Sequence, residues 1–213
     1  MTEIISSKTM LTVGTKAFDV IKNAYQSRKQ ERVSSFFKCV ETRYEYMDEE
    51  QRAKLNESIN SIEGQEVLAQ YADAITQTSS DRVRMAIALL YCNDCDFNFS
   101  EFDQRIFING VTGITDHIID FFIESIKRPK ISGNYPYERH SIEQSSLPDF
   151  NVENVDAELV YSYINELIRR RLLLPDPAVG LLGDNKGWFI TYGSSDKTNR
   201  MARLLEKAGE VMR

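Results

Sequence analysis

Apolar residues recur at helical spacing along most of this chain, and the places where that spacing stops mark its organisation. From Lys8 to about Tyr46 the series Leu11, Val13, Phe18, Ile21 and Tyr25 is followed by Val33, Phe36, Phe37, Val40 and Tyr44. The stretch between the two series, QSRKQER, is wholly polar. This pattern predicts two helices, or one long helix with an exposed middle. Asp48 is placed to cap EEQRAKLNESI, and Gly64 is read as the separator before EVLAQYADAI. Ser80 precedes DRVRMAIALLYC, where Val83, Ile87 and Leu90 form one face. Ser100 and Asp103 have the Ser-x-x-Asp spacing of a capping box. Thr115 can cap a further helix carrying Ile118, Ile119, Phe122, Ile123 and Ile126.

Pro129 ends this region. Residues 129–153 hold three of the five prolines, Gly133 and four serines, and read as a linker or long loop. Beyond it, Asn154 or Asp156 can cap a helix whose buried stripe is Leu159, Val160, Tyr163, Ile164, Leu167 and Ile168. LLLP reads as a short strand, DPAVGLLGDNKG as a turn-rich tip and GWFITY as a second strand, broken by Gly193. Ser194 or Ser195 caps a last helix over SSDKTNRMARLLEKAGEVM. The order helix, short strand, glycine-rich tip, strand, helix resembles the end of a winged-helix module. The division expected is therefore a helical bundle over 1–128, a linker over 129–153 and a winged-helix-like segment over 154–213. The fold class is mainly α: an N-terminal helical bundle with a small winged-helix-like α/β C-terminal segment. The region from about Glu31 to Lys127, through VLAQYADAITQTSSDRVRMAIALLYC, also resembles a group of uncharacterised bacterial helical proteins. The resemblance implies a winged-helix-like tail and a setting near mobile-element or phage-response functions.

Composition changes this picture in two ways. Gly and Pro total only 15 of 213 residues, which suits long unbroken helices. The net charge of −6 is uneven: residues 1–153 carry −7 and residues 154–213 carry +1. An acidic body argues against phosphate contact over a broad surface, because affinity for nucleic acid is built from neutralised phosphates. Three cysteines cannot all pair within one chain, and the odd count points to a reducing, cytoplasmic setting. Glu3, Lys8, Lys16 and Asp19 interrupt the apolar start, so neither a secretory signal nor a membrane span is expected there.

The densest candidate chemistry is LLYCNDCDFNFSEFDQ, residues 89–104. Cys92 and Cys95 form half of a structural zinc site, which needs four ligands; Cys39 and His117 would have to complete it. Asp94, Asp96, Asn98 and Ser100 imitate the start of a calcium loop. The position that needs Gly holds Phe99, however, and the closing Glu is replaced by Arg105. The better reading is a helix–loop–helix connection pinned by Phe97, Phe99 and Phe102, and no cofactor is expected. Arg169, Arg170 and Arg171 are the only basic run. At a helix end they complement the carbonyl pole. Beside a wing, with Lys186 and Lys197, they would contact phosphate, and they are the candidate nucleic-acid-binding residues. His117 and His140 stand alone with no Ser/His/Asp order. NYPYERH, residues 134–140, has the tyrosines and arginine that suit a protein contact.

These features define a non-enzymatic cytoplasmic interaction or regulatory protein. Its C-terminal segment would bind nucleic acid, and its body would engage a protein partner or a second copy. The alternatives are a protein–protein interaction module in a phage-response or mobile-element system, and a zinc-dependent protein using Cys92 and Cys95.

Overall fold

The computed structural model describes residues 7–92, 97, 99–178 and 187–213. Among these the chain forms α1 (Ser7–Glu45), α2 (Glu49–Asn60), α3 (Ile62–Gln77), α4 (Asp81–Tyr91), α5 (Glu101–Val111) and α6 (Asp116–Lys127). Strand β1 (Glu138–Glu143), a 3-10 helix (Gln144–Asp149), α7 (Ala157–Arg169), β2 (Phe189–Ser194) and α8 (Asp196–Val211) follow. The protein is mainly α, with a small α/β segment toward the C-terminus built on a two-stranded antiparallel sheet.

The first apolar series resolves as a single helix of 39 residues, whose polar middle is exposed. Its C-terminal part buries Phe36, Cys39 and Val40 and packs on α3 and α4. Asp48 closes α2 by a reciprocal pair: its carboxylate accepts from the Gln51 amide at 2.8 Å, and the Gln51 side chain accepts from the Asp48 amide at 3.2 Å. The break before α3 falls at Ser61, not at Gly64. Ser61 caps α3 by accepting from the Gly64 amide at 2.9 Å, so Gly64 lies inside the first turn. Ser80, Ser100 and Thr115 cap α4, α5 and α6 as their spacing predicts.

Helix α4 is the centre of the molecule. Every residue from Val83 to Tyr91 is buried, and α1, α3, α5 and α8 pack around it. A helix apolar all round has no solvent face to present, so it is driven inside. Its one charged residue in that span, Arg84, is neutralised by Asp81 and donates to the Thr78 carbonyl at 2.9 Å and to Ser35 Oγ at 3.1 Å. Buried Ala86 and Ala88 on α4, with Ala202 and Ala208 on α8, leave little bulk between the helices.

Within residues 129–153 the chain is more ordered than a linker. β1 pairs antiparallel with β2 over Glu138↔Ser194 to Glu143↔Phe189. His140 and Ile142 are fully buried, while Arg139 and Ser141 are half-buried. On the other side of β2, Leu174 bridges Gly193 through two backbone hydrogen bonds of 2.8 and 2.9 Å. LLLP is thus a single bridge rather than a strand. Gly193 lies within β2: a side chain there would meet the Tyr137 ring, 2.3 Å from the position of its Cβ. Asp156, not Asn154, caps α7, and Ser195, not Ser194, caps α8.

Leu205 is fully buried on α8. Leu205→Ala removes the Cγ and both Cδ carbons from a core with no solvent access. It is expected to lower the free energy of unfolding by about 2–5 kcal/mol in urea titration, whereas Glu210→Ala on the same helix leaves it within about 0.5 kcal/mol.

Candidate nucleic-acid interface

The basic run closes α7 with a complete Schellman turn. Arg170 is the C-cap, Arg171 follows at φ 61°, the Arg171 amide bonds Ile168 O at 3.0 Å and the Leu172 amide bonds Leu167 O at 2.9 Å. Leu167 and Leu172, both fully buried, supply the hydrophobic contact that goes with this turn. The left-handed position is one where glycine is favoured, and here it carries arginine.

The three arginines therefore differ. Arg169 lies along Glu166, with three nitrogen–oxygen distances of 2.7–2.9 Å, and its side chain is 73% exposed. Arg170 donates Nε to the same Glu166 at 2.6 Å, and Nη1 to the carbonyls of Gly110 and Thr112 at 2.9 and 2.8 Å. It thereby ties the end of α7 to the end of α5. Arg171 is exposed and makes no ion pair among the described residues. Arg169, then Arg170, hold the Glu166 carboxyl below the usual range against the effect of burial. All three arginines, with Ile106 and Asn109 of α5, line one cleft.

Lys197, in the first turn of α8, pairs with buried Asp103 at 2.9 Å. Burial pushes that carboxyl up, but Lys197, Ser100 and Arg200 outweigh it and lower its pKa. Asp103 and Gly110 both lie on α5, seven residues or about 10 Å apart along its axis. The arginine cleft and Lys197 are thus set along one helix. Lys186 lies outside the described residues, as do Asp94, Cys95, Asp96 and Asn98. Cys92 is buried as the C-cap of α4, and burial likewise pushes the Cys39 thiol up. Phe99 is buried and Phe97 half-buried, but Phe102 is 64% exposed and does not pin the connection. Among the described residues no three His, Cys, Asp or Glu side chains converge as a metal shell. No described helix is long and apolar enough to cross a membrane.

Both histidines have structural partners that their positions in the sequence do not reveal. His117 Nε2 donates to the Glu153 carbonyl at 2.8 Å, which leaves Nδ1 to accept from Tyr163 O–H at 2.9 Å. Both ring nitrogens are thus occupied in holding α6 to α7, so His117 is not free to complete a shell with Cys92. His140 Nδ1 donates to the Arg128 carbonyl at 2.8 Å, and Nε2 lies 2.8 Å from Ser194 Oγ. The Ser/His pair is fully buried, with Tyr192 stacked on the imidazole at 5.6 Å. It fastens the sheet to the end of α6 and presents no surface to a substrate. In NYPYERH the side chains grip a neighbouring segment: Tyr137 O–H donates to Pro175 O at 2.9 Å, and Arg139 bonds both Asp176 oxygens at 2.7 and 2.9 Å. Burial alone would raise the Asp176 pKa. The bonds from Arg139, Thr191 and the Ala178 amide reverse this and hold it at about 2, against an ordinary 3.8.

A second group of cations was not singled out from the sequence. Arg28, Arg32 and Lys38 on α1, with Arg84, line a cleft that also holds Glu31 and Asp81. The four-residue step from Arg28 to Arg32 is its only local sign.

No family model, curated protein or solved structure matches the chain.

Two predictions follow from these bonds. Arg170→Ala strands two helix-end carbonyls and is expected to lower the free energy of unfolding by about 1–3 kcal/mol, whereas Arg171→Gln leaves it nearly unchanged. Urea titration of both variants separates the two arginines. For Asp176 the depressed folded pKa means that the unfolded chain takes up the proton first. Its stabilising contribution is full above pH 3.8 and is lost as pH falls toward 2. The stability gap between the native chain and Asp176→Asn is expected to shrink over that window; a gap that stays constant to pH 2 would refute the assignment.

Proposed function

We propose that this protein is a non-enzymatic regulator whose C-terminal segment is a winged-helix-like nucleic-acid-binding module and whose helical body engages a protein partner. The observation that carries the reading is the order of segments around β2. β1 pairs on one side of β2 and Leu174 on the other; the 3-10 helix and α7 lie between β1 and Leu174 in the chain. With α6 before β1, this gives helix, strand, short helix, helix, strand position, strand. The two helices that precede α7 in such a module, indistinct in the sequence, correspond to α6 and the 3-10 helix.

In this reading α7 is the helix presented to the duplex. Its exposed residues include Ser162, Asn165 and Arg169, side chains able to donate to base edges or phosphate. Arg171 is the strongest phosphate ligand of the run, because it is exposed, unpaired and held in a conformation that costs a non-glycine residue energy. Arg169 would exchange Glu166 for phosphate. Arg170 supports the site from behind through the carbonyls of Gly110 and Thr112. Lys197 would act only as its pair with Asp103 opens.

The test is titration of a labelled random duplex at about 50 and about 200 mM salt. Four phosphate contacts would cost about 100-fold in affinity between those conditions. Arg169→Gln with Arg171→Gln is expected to weaken binding at the lower salt at least tenfold and to flatten the salt dependence by about one contact per residue, with the fold intact because Arg170 is kept. Absence of binding at about 50 mM salt would remove the nucleic-acid reading.

A further inference from the structure

We infer that the N-terminal half of α1 is a dimerisation arm that docks on the acidic α2–α3 face of a second copy of this chain. The inference rests on the reading of the helical body as a protein-binding unit; nucleic-acid contact at α7 is independent of it.

α1 runs unbroken for 39 residues, about 58 Å, and only its later part packs on α3 and α4. Residues 21–28 are all exposed. Yet the face that turns to the bundle does not become polar where the bundle ends. Ile21 stands eighteen residues, about five whole turns, before buried Cys39, and is 68% exposed; Tyr25, one turn on, is 59% exposed. In the sequence Leu11 and Phe18 continue the same periodicity. An apolar stripe extended past its own cover is built to be covered by something else.

Charge says what covers it. Residues 7–32 hold six basic and two acidic side chains, a net of +4. Residues 41–77, through α2 and α3, hold nine acidic and three basic, a net of −6. The acidic stretch also carries exposed apolar residues, Tyr46 at 76% and Ile62 at 74%, flanking α2 at its two ends. One surface is apolar in a basic setting and the other apolar in an acidic one. A single chain does not bring them together, because α1 is a continuous helix that meets the last turn of α3 at Arg32, and residues 21–28, before that point, are all exposed. A second copy can, and the same contact made twice about a two-fold axis satisfies both arms and both faces. Two arms paired with each other would instead set +4 against +4.

Mass is measured by light scattering on the full chain. The native protein is expected at twice 24.5 kDa at low salt, and Ile21→Glu with Tyr25→Glu at the single-chain mass with an unchanged circular dichroism spectrum. The register is tested by exchange of charge. Lys22→Glu with Arg28→Glu, and separately Glu57→Lys with Glu66→Lys, should each run as a single chain alone and return to the double mass when mixed, a rescue that a misfolded variant could not give. A native protein of single mass at about 100 µM, an Ile21/Tyr25 variant that stays double, or a mixture that stays single each overturns the inference. So does a single-mass chain that sediments with vesicles containing about 30% phosphatidylserine, which would make the arm a membrane contact. Duplex binding retained by a single-mass variant would leave the α7 reading standing whichever way the arm falls.

Discussion

The helix ends decide how this protein holds together, because several of them are closed by side chains from distant elements. The carbonyls in the last turn of a helix lack amide partners and carry the negative pole of its dipole. Arg52 of α2 donates to Tyr44 and Glu45 O at the end of α1. Arg32 and Arg84 donate to Thr76 and Thr78 O at the end of α3. Arg170 donates to Gly110 and Thr112 O at the end of α5, and His140 to Arg128 O just past α6. Neither α3 nor α5 has a basic residue in its own last turn, so each depends on a guanidinium brought by the tertiary fold. Arginine suits the task, since one planar group can reach two oxygens at once.

This pattern ties the candidate interface to the body. Arg170 is the join: it shares Glu166 with Arg169 on one side and completes α5 on the other. The arginines that flank it are thereby held at fixed positions on the end of α7, Arg169 against Glu166 and Arg171 exposed. The sheet is fastened in a parallel way, by Tyr192 O–H on Ser125 O at 2.9 Å and His140 on Arg128 O, both at the end of α6. The C-terminal segment is thus attached to the bundle at two helix ends, and α8 packs on α4 and α6.

What could be read from the sequence follows from the range of each interaction. N-caps act within three residues, and Asp48, Ser80, Ser100 and Thr115 were legible for that reason. The helical stripe of α7 was legible because a 3.6-residue period repeats within the segment, and the position of Arg169–Arg171 at its end came with it. β1 was not, because its inward positions alternate His140 and Ile142, and a histidine there breaks the apolar signal of a strand whose partner lies some fifty residues on. Gly64 misled because a glycine is tolerated in a first turn. Phe102 misled because it lies in the first turn of α5, on the side that faces solvent. The division of labour within the basic run was illegible, since Gly110 O lies sixty residues from Arg170.

The place of β2 has a consequence for the order in which the molecule can be assembled. It is the inner segment, flanked by β1 and Leu174, yet it is the last of the three to be made. While a ribosome is still adding the residues before 189, β1 has one unmatched edge, His140 lacks both Ser194 and its stacking ring, and Leu174 has no bridge. The helices before β1 can pack on α4 during synthesis, but the sheet, and the side of α4 that α8 covers, must wait and then close in one late step.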